Sequence, residues 1–137
     1  MDQDAALHAA AQAAALWTAL LLLLLLALSL LVVRQRRRHA VPLGDEGIAE
    51  LTRAIRAFGN AAEYAPAGMA GLLALAAVGA PPLAVHLAGV LLFGGRILHA
   101  IALSRTGGSS LLRSAGMTMT WVAYVFEVVA LLIFAVV

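Results

Sequence analysis

The chain has 137 residues, 64% of them hydrophobic and 12% charged, with a mean hydropathy of +0.99. A soluble domain carries about 45–50% apolar and ~25% charged residues, so this composition excludes one and points to an integral membrane protein. Cysteine and lysine are absent and all nine basic residues are arginine, which excludes disulfides, thiolate metal sites and cysteine nucleophiles; neither a metal nor a nucleic-acid partner is expected.

Asp2 and Asp4 stand where a secretory leader would be basic, so the start of the chain does not read as a cleaved signal. A bilayer crossing needs about 20 apolar residues. Four segments are predicted to qualify, roughly residues 9–33, 48–78, 83–104 and 111–137, giving an all-α, four-helix membrane bundle in a single domain over residues 1–137. The first contains the unbroken leucine run 20–26. Pro42, Gly44 and Gly47 punctuate the first connection, Pro81 and Pro82 the second, Gly107 and Gly108 the third. Connections this short make neighbouring helices antiparallel.

Arginine placement predicts the orientation. Arg34, Arg36, Arg37 and Arg38 follow the first apolar segment, Arg105 follows the third and Arg113 opens the fourth, while the second connection carries no charge. The positive-inside rule then sets the first and third connections in the cytoplasm and both termini on the periplasmic side. The arginine run 36–38 also suits anionic lipid headgroups.

Ionisable groups within membrane helices cost about 2.5–3.5 kcal/mol each on insertion scales and face the bundle interior. Arg53, Arg56, Asn60 and Glu63 recur at spacings of three and four, so they share one stripe of the second helix. Arg96 and His99 share a face of the third, and Arg113 and Ser114 open the fourth. Arg96 lies about 13 Å from the cytoplasmic end of its helix and Glu63 about 10 Å deeper than Arg56, at ~1.5 Å per residue. A buried Glu63–Arg96 ion pair is therefore predicted, alongside its simpler reading as glue between helices. Glu127, deeper on the fourth helix, is expected to have a packing role, and His86 to be solvated near the outer interface. Several guanidinium groups with amide and hydroxyl donors make an anion site, and such a site also stabilises a thiolate. Glutathione fits that balance, with two carboxylates, one thiol, and an ammonium group for Glu63.

The second helix reads Arg56-Ala57-Phe58-Gly59-Asn60-Ala61-Ala62-Glu63-Tyr64-Ala65-Pro66. It resembles the R-A-x-x-N-x-x-E-Y-x-P signature of the MAPEG family, the membrane-associated proteins in eicosanoid and glutathione metabolism. Gly95-Arg96-Ile97-Leu98-His99 is similar to the G-R-x-x-H motif of the family's prostaglandin-synthase branch, and Arg113-Ser114 resembles its arginine–serine pair. Among the branches, the short bacterial YecN-like one looks most similar. The resemblance implies a homotrimer in the bacterial inner membrane, with glutathione as co-substrate bound between subunits. It implies that Arg113 and Ser114 act on the glutathione sulfur, and that Arg34, Arg56, Asn60, Glu63, Tyr64 and His99 line or brace the tripeptide, with Arg96 structural. The expected activity is glutathione transfer, or peroxidase chemistry, on lipophilic electrophiles delivered by the bilayer. Leu103 and Met117 depart from the pattern, standing where family enzymes carry tyrosines. These departures favour the alternative, a non-catalytic lipid-binding or scaffold protein of the same fold. A transporter using Glu63 for proton coupling ranks behind both. His86 and His99 lie 13 positions apart on one helix, about 20 Å, too far to share one haem iron within a subunit.

Overall fold

The computed structural model describes residues 3–105 and 110–136; the turn expected at Gly107 and Gly108, and the end at Val137, lie outside them. Four helices follow one another: α1 (Gln3–His39), α2 (Ala49–Ala77), α3 (Pro82–Arg105) and α4 (Leu111–Val136). α1, α3 and α4 are long and apolar enough to cross a membrane. α2 is not, which differs from the four crossings expected, because Arg53, Arg56, Asn60 and Glu63 join glycines and Pro66 to dilute its apolar character. It packs on the other three helices all the same.

α1 runs further than its apolar segment. Alanine and leucine are strong helix formers, and arginines suit the negative end of the helix dipole. The run Arg34–Arg38 therefore occupies the last turns of α1 rather than the connection. Ala40 then turns left-handed, with φ 55°, and the Val41 amide reaches back to the Arg36 carbonyl at 3.1 Å, closing the helix in a Schellman motif. Arg36 is thereby drawn into bracing the connection, donating to the carbonyls of Gly44 (3.0 Å) and Val41 (3.4 Å). Arg34, Arg37 and Arg38 are exposed. Asp45 organises the approach to α2 by accepting from the Gly47 amide and the Thr52 hydroxyl. The Thr52 bond, first, and the Gly47 bond hold the Asp45 carboxyl below its ordinary range.

α2 closes like α1, with Gly79 left-handed and the Ala80 amide on the Leu75 carbonyl at 3.0 Å. Pro82 opens α3, where a missing amide proton removes no helical bond. Ser110 caps α4, its hydroxyl oxygen accepting from the Arg113 amide at 3.2 Å.

Among the described residues α1 and α4 do not touch; each packs on α2 and α3. Half of the apolar stretch of α3 is buried, against 11% in α1, so α3 forms the centre and α1 the flank. Exposed leucines and valines cover α1 and α4, as a lipid-facing surface requires. One apolar core joins Leu21, Leu72, Leu75, Val85 and Leu92; a smaller one joins Leu28, Ala57, Ala61, Ala100 and Leu103. α3 and α4 meet closest at Gly95 and Gly116. A Cβ on Gly116 would lie 2.6 Å from the His99 amide nitrogen, and one on Gly95 would lie 2.7 Å from the Gly116 carbonyl oxygen. Only glycine permits that crossing, which brings Arg96 and His99 against the start of α4.

Candidate ligand-binding site between α2, α3 and α4

Arg96 is the organising residue. It is 1% exposed, and its guanidinium donates to three side chains: Asn60 Oδ1 of α2 at 2.7 Å, Thr120 Oγ1 of α4 at 2.9 Å and Met117 Sδ at 3.5 Å. Its ζ carbon lies 5.0 Å from the centre of the Tyr64 ring, a cation–π contact. The Tyr64 carbonyl accepts from the Tyr124 hydroxyl. The arginine thus fastens α2 and α4 to α3 from within.

These contacts correct the expected Glu63–Arg96 ion pair. Among the described residues no ion pair joins them, and Glu63 is exposed. The reason lies in the angular step of about 100° per residue. Asn60 and Tyr64, four apart, are offset by only ~40° and both reach Arg96. Glu63 is offset from Asn60 by ~60° in the opposite sense, which carries it off that face together with Arg56, also exposed.

The hydrogen-bond chemistry fixes the orientation of three side chains. A guanidinium only donates, so the Asn60 oxygen must face Arg96, and its NH2 remains free to donate elsewhere. The Thr120 hydroxyl gives its proton to the Gly116 carbonyl at 3.0 Å and accepts from Arg96 with a lone pair. His99 Nδ1 lies 3.0 Å from the Arg113 carbonyl. A carbonyl only accepts, so Nδ1 carries the proton and Nε2 of the neutral ring is an acceptor. That Nε2 is buried and has no protein partner.

Asn60, His99, Arg113, Ser114, Met117, Thr118 and Trp121 line a cavity of about 380 Å³. It offers the Asn60 amide, the Arg113 guanidinium and the Ser114 hydroxyl as donors, with His99 as a buried acceptor. Among the described residues no acidic side chain pairs with Arg113. At Thr118 and Trp121 the cavity meets a groove of about 550 Å³ on α4, continued by Val122, Val125, Phe126 and Val129. An open cleft that carries polar and cationic groups therefore adjoins an open apolar groove on the outer face of α4. Among the described residues no group of three acidic or histidine side chains is placed to hold a metal.

Of the residues singled out from the sequence, Asn60, His99, Arg113 and Ser114 come together in this cavity. Tyr64 and Arg96 lie behind it as braces. Arg34, Arg56 and Glu63 stand outside it on the surface of the single chain. Leu103 is packed in the smaller core, and His86 is exposed but accepts the Trp17 indole N–H at 3.1 Å. Thr118, Trp121 and Ser110 are not marked by the sequence reading, and Thr120 is marked only as sharing a face of the fourth helix with Met117, Tyr124 and Glu127. Ser110 had a usable signal, a serine just before an apolar run. Thr120 shares a helical face with Met117 and Tyr124, but nothing in a single threonine marks it as a guanidinium acceptor.

The inner membrane protein YecN of Escherichia coli K12 is 38% identical to this chain over 97 residues, 71% of the chain and 72% of that protein. YecN of Escherichia coli O6:H1 strain CFT073 matches to the same extent. No solved structure gives a significant match. The sequence model of the MAPEG family matches residues 14–133, from the first third of α1 to the last turns of α4. The chain therefore belongs to the MAPEG family and is a membrane protein of that family.

Proposed function

We propose that the protein is a glutathione-dependent transferase of the bacterial inner membrane, conjugating the thiol of glutathione to lipophilic electrophiles. The observation that carries this reading is the junction of a cationic polar cavity with an apolar groove. Few ligands need both, and a reaction between a water-soluble anionic thiol and a lipid-soluble partner does. The Arg113 guanidinium stabilises the thiolate and the Ser114 hydroxyl donates a hydrogen bond to it. The Asn60 NH2, oriented by Arg96, donates to a carboxylate, and His99 Nε2 accepts an N–H. The thiolate sulfur then attacks an electrophilic carbon lying at Trp121, forming the S–C bond while the displaced electron pair leaves with the leaving group.

The same reading makes the working unit a homotrimer of single-domain subunits, with both termini periplasmic. Its support is electrostatic. Arg56 and Glu63 are exposed on the single chain, and charged groups facing hydrocarbon are costly. A neighbouring copy covers them, and Arg34, Arg56 and Glu63 complete the glutathione site across that interface.

The test is calorimetric titration of glutathione into the detergent-purified protein, with thiolate ultraviolet absorbance recorded alongside. Binding is expected in the wild type. Arg56→Ala should weaken it, and Arg113→Ala should remove the thiolate band while the oligomer stays intact. The second reading, a non-catalytic lipid-binding or scaffold protein, draws on Leu103 and Met117. Leu103 is core and Met117 turns its sulfur to Arg96, so neither supplies the hydroxyl that family enzymes use. A folded wild type that binds no glutathione decides for that second reading.

A further inference from the structure

Glu127 is the one acidic side chain buried among the described residues, at 4% exposure, and its Oε1 has no hydrogen-bond partner. It lies 14 positions beyond Arg113, about 21 Å along α4, far from the cavity described above. Gly71 of α2 is what lets it in, since a Cβ there would collide with the carboxyl group. Beside it is a separate cavity of about 250 Å³ walled by Ala67, Gly71, Tyr124, Val128 and Leu131. Tyr124 cannot satisfy the carboxyl group, because its single hydroxyl proton goes to the Tyr64 carbonyl. A packing role leaves the buried Oε1 without a partner beside a cleft that is open to the outer surface at Ala67 and Val128.

We propose that Glu127 and this cavity form a second ligand site, for the head group of a lipophilic amine taken from the bilayer. Several features select that chemistry. No cationic side chain lines the cavity, so an anion has nothing to bind. The walls are otherwise hydrocarbon, so the ligand has one polar end. An amine also solves the charge problem of the site. Wherever the shared proton sits, ammonium with carboxylate or amine with carboxylic acid, both groups are hydrogen-bonded and the pair adds no net charge to the membrane interior. The volume lies just below the ~300 Å³ at which drug-sized pockets begin. It therefore takes the head and first methylenes, and the rest of the tail lies on the exposed apolar face of α4 past Val128 and Leu132. This site is independent of the glutathione reading.

The test uses dicyclohexylcarbodiimide, which partitions into apolar phases and reacts with protonated carboxyl groups. The full-length detergent-purified protein is labelled with and without N,N-dimethyldodecylamine, a tertiary amine that cannot be acylated to an amide, and the adduct is mapped by peptide mass. Glu127 is expected to be labelled, and the amine, at ten times its Kd, to slow labelling about tenfold by mass action. Dodecanol, with the same chain and no amine, should not slow it, and Glu127→Gln should remove the adduct. Gly71→Ala, whose added methyl takes the space of the carboxyl group, should keep the label and lose the protection. Absence of labelling in the wild type, absence of protection by the amine, equal protection by dodecanol, or full protection in Gly71→Ala would each overturn the proposal.

Discussion

Thr120→Val isolates the hydrogen bonding of Arg96 with little change of volume. Thr120 is fully buried and does not line the ligand cavity. Valine keeps the shape and removes the oxygen that accepts from Arg96 Nε at 2.9 Å. The Gly116 carbonyl loses only a supplementary donor. Neutral hydrogen bonds between membrane helices average about 0.6 kcal/mol in double-mutant cycles. Here the donor is a guanidinium that is 1% exposed, so no solvent replaces the lost acceptor. Hydrogen bonds to charged groups are worth about 1.5–3 kcal/mol, and that is the expected loss of stability. Thr120→Ser keeps the acceptor and should lose only the methyl group, about 1 kcal/mol. The assay is reversible unfolding in mixed micelles of rising sodium dodecyl sulfate fraction, followed by circular dichroism, with Asn60→Ala and the double variant completing a cycle. Asn60 and Thr120 share Arg96 as donor, so their effects should be non-additive by 0.5 kcal/mol or more. A Thr120→Val protein as stable as Thr120→Ser, or an additive cycle, would refute Arg96 as the internal fastener of α2 and α4.

Three further outcomes follow from local geometry. Gly116→Ala should destabilise by about 1–3 kcal/mol in the same unfolding assay, the range for overpacking, because its methyl group meets backbone of α3 rather than a movable side chain. Ser110→Ala should lose about 0.5–2 kcal/mol with the α4 cap, and Ser110→Asp, which restores an acceptor, should recover most of it. The folded Asp45 carboxyl titrates below the ordinary value of 3.8. Its contribution to order in the first connection is therefore fully present above that value and lost as pH falls through the lower folded value. Amide exchange at Gly47 and Thr52 should rise only in that acid window, and Asp45→Asn should flatten the profile.

Much of this architecture is legible in the order of residues. Apolar runs of membrane length locate α1, α3 and α4, because a bilayer admits only segments that satisfy their own backbone hydrogen bonds. The R-A-x-x-N-x-x-E-Y-x-P stretch identifies the family whose model matches most of the chain. The sequence groups Arg56, Asn60, Arg96, His99, Arg113 and Ser114 toward one end of the bundle; of these, Asn60, His99, Arg113 and Ser114 line one cavity, Arg96 lies behind it and Arg56 is on the surface. Those residues share a depth near the same end of the bundle, and depth is read directly from distance along a helix.

What the order of residues could not supply was which side of each helix meets which neighbour. A three-residue and a four-residue step both read as the same face, yet they turn about 60° one way and ~40° the other. That difference gives Arg96 to Asn60 and Tyr64 and leaves Glu63 outside. The close crossing at Gly95 and Gly116 decides that Thr120 meets Arg96, and Gly71 decides that Glu127 is enclosed. Hydropathy and spacing are properties of one helix and survive in the sequence. A hydrogen bond between helices depends on the rotation and separation of two helices at once, and those are set only when the whole bundle packs.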